Sequence, residues 1–426
     1  MATGFGAQES PDAPLKETIL PGLELLVSRP LEEVVQNSTW NNRAWTFQER
    51  ILSRRCLVFV EGRVYFQCRG ANMSQDVYPG GLDNEEAWSL DWRDSPLRTL
   101  RDAKERPIWF YMKCVSLYTG RRLTLPKDIV PAFIGVSQLM ARYMDAPFFY
   151  CLPASHFDFA LLWQPSREQK RCAREAFPTT SKPEDTLGDD WFDHEEFPSW
   201  SWAGWMDHED PQKGAHVTTW IDWNIRDGDG NVKNIATAAA SHGSLAPPTD
   251  NYGRPIRYTS MNRCLSATIA DNPFGIRASQ QRMTDTSFTL PILQFHTWSS
   301  NFFISESSPE ESTEPLGEGL ARCHVADQSH DWCGTVVLDQ EWATAHSGTP
   351  CRFIALSEAK SFTADECTHW AHYIAKDRDE IEWDLFHVLL VRHNSRRLLW
   401  ERVGVGKVLQ QAFDMTKESW TEILLG

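Results

Sequence analysis

The chain has 426 residues, 41% of them hydrophobic and 23% charged, and it carries 19 Trp, a composition that suits a folded protein with a large aromatic core. A formal net charge of −16 leaves no general basic footprint for nucleic acid or an anionic membrane surface. The ten Cys include no Cys-x-x-Cys pair, no basic-then-apolar leader is visible, and no apolar run reaches the length of a spanning helix; free thiols in the cytoplasm and no membrane span are the expectation.

Residues 1–20, rich in Pro, Ala, Ser and Glu, are expected to be a flexible tail. Asn41 or Asn42 can then cap a helix that runs to about Leu52. Cys56–Val60 and Val64–Cys68 fit two short strands, with Glu61-Gly62-Arg63 as the turn of a β-hairpin. Ile108, Trp109, Met112, Val115 and Leu117 recur at helical spacing over Pro107–Tyr118, and Gly120 suits the stop. Asp128 is placed to cap a further helix reaching about Met144, with Pro131 in its first turn. Residues 178–197 hold seven Asp or Glu against one Lys and fit a surface linker, which is taken as 166–197.

Beyond it, Val217–Ile225 and Phe288–Trp298 are predicted strands, and 227–255 a loop. Ser305–Gly319 has five Glu and no base, so a disordered insert is expected within 301–319. Leu385–Val391 fits a strand buried on both faces. His393-Asn394-Ser395 fits a turn, Leu398–Val405 a returning strand, and Gly406–Phe413 a short helix. The fold class is thus a mixed α+β, with a helical front carrying a β-hairpin and a strand-rich C-terminal part. The expected division is 21–165, then the linker, then 198–426.

At about 100° per residue, Ala44, Trp45, Phe47, Ile51 and Leu52 share one face of the first helix. Gln48 falls in the middle of that face and Glu49 at its edge; Arg43 and Arg50 point away together. A buried amide needs partners, and a carboxylate against apolar side chains tends towards a raised pKa unless a cation compensates. Gln48 therefore either ties a loop backbone or faces a pocket. Glu49 either pairs with an Arg or serves as a ligand-binding or general-base carboxylate.

Other groupings are weaker. Cys323, His324, His330 and Cys333 match no familiar zinc spacing, and neither do Cys367, His369 and His372, so no metal is assigned. Trp200, Trp202 and Trp205 in PSWSWAGW fit a core plug better than a stacking platform. Arg121 and Arg122 with Lys127 and Asp128 form either a solvated charged edge or a small anion site.

WNNRAWTFQERILSRRCLVFVEGRVYFQC, from Trp40 to Cys68, resembles the last block of the fungal heterokaryon-incompatibility (HET) domain. That block runs Trp-x-x-Arg-(Ala/Gly)-Trp-Thr-(Leu/Phe)-Gln-Glu-Arg-x-Leu-Ser, with a strand pair ending in Cys; Trp40, Arg43, Trp45, Thr46, Gln48, Glu49, Arg50, Leu52 and Ser53 match it. Four further segments resemble the region C-terminal to the domain in such proteins: YTGRRLTLPKDIVPAFIGV (118–136), FDFALLW (157–163), PSWSWAGW (198–205) and the ending from HVLLVRHNSRRLLWERVGVGKV. The family's earlier Leu-Ser-Tyr-x-Trp-Gly and Trp-Ile-Asp-x-Leu-Cys-Ile-x-Gln-Asp blocks do not occur in this sequence, so 21–165 is read as a partial domain.

The resemblance implies fungal non-self recognition and programmed cell death signalling, carried by protein partners more than by chemistry. It also implies a likeness to the Toll/interleukin-receptor fold, some members of which cleave NAD. On that alternative Glu49 would be the catalytic carboxylate of a glycohydrolase, with NAD as substrate and Gln48, Trp45, Arg50 and Arg43 around it. A third reading is a degenerate, non-signalling fragment.

Overall fold

In the computed structural model, residues 15–20, 23–27, 35–60, 63–68, 72–74, 103, 107–165, 197–204, 208–209, 216–226, 230–236, 256–259, 266–269, 273–274, 291–306, 316–360, 362, 384–395 and 397–426 are described. The fold is mixed α+β, with most of the described helices at the front and a strand-rich rear.

The front opens with β1 (Leu15–Leu20) and β2 (Leu23–Val27), an antiparallel pair. Part of the expected tail is therefore a strand, while residues 1–14 lie outside the described set. Helix α1 (Ala44–Leu52) ends where expected, but no Asn caps it. Its N-cap residue is Arg43, and the first turn is closed by Thr46, whose hydroxyl donates to Arg43 O and Trp40 O at 2.7 and 2.9 Å. Asn41 is taken up by Arg121 instead. Strands β3 (Arg55–Val60) and β4 (Arg63–Cys68) form the expected hairpin, and β5 (Asn72–Ser74) adds to β4.

Helix α2 (Pro107–Thr119) tolerates Pro at its first position because that N–H has no helical partner. Helix α3 is shorter than predicted, Ile134–Met144. Asp128 does not cap it; it closes a 3-10 turn at Pro126–Asp128, and turns carry the chain on past Pro131. The helix stops at Asp145, which adopts a left-handed φ of 48°. Next come β6 (Phe148–Phe149) and β7 (Leu152–Pro153), joined by Tyr150 and Cys151. Both joining residues have positive φ, 46° and 67°, the geometry of a type I′ turn without glycine. Tyr150 is held there by Ser201, whose hydroxyl donates to its carbonyl at 2.6 Å, and by an edge contact with Trp200. Short α4 (Phe157–Ala160) follows, and β8 (Gln164–Pro165) pairs with β9 (His208–Glu209).

The rear elements are β10 (His216–Thr219), β11 (Asn224–Arg226), β12 (Val232–Asn234), β13 (Ile256–Thr259), β14 (Ser266–Ile269), β15 (Ile292–Glu306), β16 (Leu320–Ala326), β17 (Trp332–Asp339), α5 (Gln340–His346), β18 (Pro350–Ala359), β19 (Leu385–Asn394), β20 (Leu399–Leu409) and β21 (Trp420–Leu425). Twelve of these strands share one sheet among the described residues. From β15 the antiparallel pairings run through β16, β17, β20, β19 and β18 and return to β15. Six strands thus close into a barrel, which removes their free edges. The first half of β15 leaves the barrel to pair with β11 and β21.

Several sequence expectations give way here. Residues 301–306, placed in the disordered insert, continue β15; residues 307–315 lie outside the described set. Val217–Ile225 is not one strand, because Trp220 and Trp223 are both buried in the core. Residues three apart on a strand face opposite sides, so the chain must break its pleat between them. Within the expected loop at 227–255, β12 pairs with β11. Gly406–Phe413 is not a helix: β20 continues to Leu409 and a 3-10 turn follows at Gln410–Ala412. Gly406 is there for space, since a Cβ would stand 2.1 Å from Thr335 O on β17.

One apolar core runs through front and rear. PSWSWAGW lies at the seam between them. The Trp202 ring meets Tyr118 and Phe133 edge-on, its N–H donates to Tyr111 Oη at 2.9 Å, and Trp200 packs on Phe157. Arg402 of β20 crosses the seam. It is fully buried, its guanidinium lies 3.5 Å over the Trp163 ring, and it donates to Leu161 O at 2.7 Å and to Trp163 O. Burial pushes its pKa well below the usual arginine value. Residues 198–426 therefore share their core with 21–165. Of the expected linker only Phe197, itself buried, belongs to the described residues.

Candidate functional site

Helix α1 buries Ala44, Thr46, Phe47, Arg50 and Ile51. This stripe is rotated from the predicted one, because α2 and the loop before α3 cover the helix from one side. Phe47 stacks on Phe133 and tilts against Tyr118, which by burial alone is worth about 2–3 kcal/mol. Arg50 is buried, not pointing outward with Arg43 as expected, whereas Arg43 is exposed. Trp45 is 37% exposed, and its indole N–H donates to Asp128 Oδ2 at 3.1 Å.

Gln48 is half-buried and satisfied by backbone at both ends. Its Oε1 accepts from Gly135 N at 3.1 Å and its Nε2 donates to Pro131 O at 3.4 Å. The amide therefore ties α1 to the start of α3. Gly135 makes the approach possible: a Cβ there would stand 2.6 Å from Leu52 Cδ1 and 2.8 Å from Gln48 Oε1. Glu49, about 100° further round the helix, is exposed. It lines neither of two cavities among the described residues, both of which lie at the rear around α5.

The chain near Arg121 forms a second tie that spacing did not reveal. Arg121 is 8% exposed and donates from Nη1 to Asn41 O at 2.5 Å and to Thr46 Oγ1 at 3.2 Å, and from Nη2 to Asn41 Oδ1 at 2.8 Å. Its guanidinium sits 4.9 Å from the Phe47 ring centroid. These donors are used in joining α2 to α1, so the small anion site considered for Arg121 and Arg122 loses its main cation. Arg122 contributes backbone, accepting from Ala44 N at 3.0 Å and donating to Asn42 O at 2.6 Å.

The Cys and His groupings are dispersed. Cys323 and Cys333 are buried on β16 and β17, and burial raises the Cys333 thiol pKa. His330 sits in the turn between them with a φ of 63° and packs on Phe303. Among the described residues no three His, Cys, Asp or Glu come together as a metal set. Cys367, His369 and His372 lie outside the described residues, as does Trp205 of the aromatic triplet. No described helix is long and apolar enough to cross a membrane.

Among the described residues, the arrangement around Gln48 holds elements together. On β3, which follows α1 in the chain, Leu57 and Phe59 are 63% and 74% exposed on one side of the strand. Their direct cross-strand partners are Phe66 and Val64. Compared with protein-family models, with curated proteins and with solved structures, the chain matches none of them.

Proposed function

We propose that the protein is a HET-family member acting in fungal non-self recognition and programmed cell death signalling, in the cytoplasm and through protein contacts. One observation carries the reading: the five sequence segments that resemble the family converge in space. Gln48 of the first bonds to Gly135 of the second. Tyr118 and Phe133 of the second pack on Trp202 of the fourth. Phe157 and Trp163 of the third meet Trp200 through its ring and its carbonyl. Arg402 of the fifth holds Leu161 and Trp163 of the third. Matched residues of this kind are explained by a shared core, and the exposed Leu57 and Phe59 supply a surface for a partner.

The test is inducible expression in a filamentous fungus. Growth arrest is expected from the parent chain. Leu57→Ser with Phe59→Ser should relieve it while leaving the folded protein intact by circular dichroism. A folded, expressed parent chain without effect on growth would overturn the proposal. The NAD-cleaving alternative finds no support in the geometry, because Glu49 is exposed on the helix flank. NAD consumption by the purified chain, lost in Glu49→Gln, would favour it instead.

A further inference from the structure

A concave surface lies between α5 and strands β18, β19 and β20 and encloses about 310 Å³. Arg352, Arg392, His346 and His393 line it together with the indoles of Trp342 and Trp400, and no Asp or Glu is among its described lining residues. In a chain of net charge −16 this is a locally basic, aromatic hollow.

The two arginines differ in their electrostatic balance. Arg392 stands directly across from Glu401 in the strand register, with Nη2 3.8 Å from Glu401 Oε2. Arg352 lies on the other side of the pleat, between Asn301 and Val391. Its Nη2 donates to Ser299 Oγ at 2.6 Å, its Nε is buried without a hydrogen-bond partner, and no described carboxylate forms an ion pair with it. Burial lowers its pKa, the sign of a cation short of compensation. A partly desolvated guanidinium without a counter-ion is costly, and an anion seated on it removes that cost.

The remaining groups suit such an anion. His393 is two residues beyond Val391, so it shares the Arg352 face, and Trp400 pairs with it at a ring distance of 5.0 Å. On α5, His346 Nδ1 lies 2.8 Å from Trp342 O and must donate to that carbonyl, which leaves Nε2 for other contacts. The His346 ring stacks on Trp342 at 3.9 Å, and the Trp342 indole N–H is buried without a partner. The volume is that of a small-molecule pocket at the lower end of the usual range.

We propose that this hollow binds a small organic anion, a planar ring bearing a phosphate or carboxylate head, with the head on Arg352 and His393 and the ring against Trp342 and Trp400. Neither Leu57 nor Phe59 lines the hollow, and the proposal does not depend on the signalling role.

Calorimetric titration of the full chain with AMP, with indole-3-acetate and with inorganic phosphate tests the site. At least one ring-bearing anion should bind more tightly than phosphate. AMP binding without indole-3-acetate identifies a phosphate head, and the reverse a carboxylate head. Arg352→Gln should weaken binding by about ten-fold or more, as expected for loss of a charge-assisted pair. His393→Ala removes an exposed side chain and should weaken binding by about three-fold while the melting temperature stays unchanged, which keeps the test valid if Arg352→Gln fails to fold. Absence of binding by either ring-bearing anion at millimolar concentration overturns the proposal. So does binding that both variants leave unaltered.

Discussion

Gln48 and Glu49 are neighbours with opposite physical roles. Gln48→Leu should lower stability by about 1–2 kcal/mol, because it leaves Gly135 N–H and Pro131 C=O without their partner. Glu49→Gln should change stability by less than about 0.5 kcal/mol, as for an exposed side chain; urea unfolding of both variants checks the contrast. The helical wheel gave Gln48 its polar tie, since an amide on an apolar face must be paired. It misplaced Arg50 and Trp45, because the true stripe is set by where α2 and the loop before α3 press on the helix, and a wheel holds no neighbours. His156 offers a pH-dependent counterpart. Burial lowers its pKa to about 3, opposed in part by the charge of Asp158. Its folded value is then below the unfolded value of about 6.5. The unfolded chain binds the proton first, so stability is lost as pH falls from about 6.5 towards 3. Because the residue as a whole is only half-buried, the loss at pH 5 should be about 1 kcal/mol. Denaturation at pH 7 and pH 5 should show a smaller pH effect in His156→Gln than in the parent.

At the level of elements, glycine was the residue most easily misread. Gly406 is expected from the sequence to open a short helix directly after the strand Leu398–Val405, yet it lies inside β20, where β17 passes too close for any side chain. Gly406→Ala should therefore cost about 2–3 kcal/mol, a large effect for a single methyl group, and a thermal melt measures it directly. Gly334, facing the same crossing from β17, would bring a Cβ within 2.2 Å of Lys407 O. Strand alternation and apolar runs exposed most of β19 and the β3–β4 hairpin in the sequence. The break between β10 and β11 was hidden, because it is dictated by two tryptophans that pack on different partners, Trp220 on Trp298 and Phe386, Trp223 on Phe295 and Phe157. Local propensity does not encode such a requirement.

On the scale of the whole molecule, the shared core decides how the chain unfolds. Front and rear meet at Trp200, Trp202 and Arg402, so neither can open without exposing buried indole or stranding a buried guanidinium. Tryptophan fluorescence and far-ultraviolet circular dichroism should report coincident unfolding transitions; two separated transitions would contradict a single cooperative core. Composition foretold a large aromatic interior and the acidic balance. Barrel closure was not legible, because it depends on pairing β15 with β18, and no local pattern in either strand names its partner.

Strand β15 also governs the order of assembly during synthesis. It is translated before every barrel strand it pairs with, and Gln294 bonds to Glu422, 128 residues downstream. Until β16, β18 and β21 emerge, its apolar edge has only β11 beside it. A nascent chain in that interval carries an unpaired, hydrophobic strand, the kind of segment that aggregates or recruits chaperones. Long sequence separations between paired strands also slow folding. The yield of native protein should therefore depend on translation speed and chaperone supply across the region from β15 to β21, even though the finished barrel has few edges to offer.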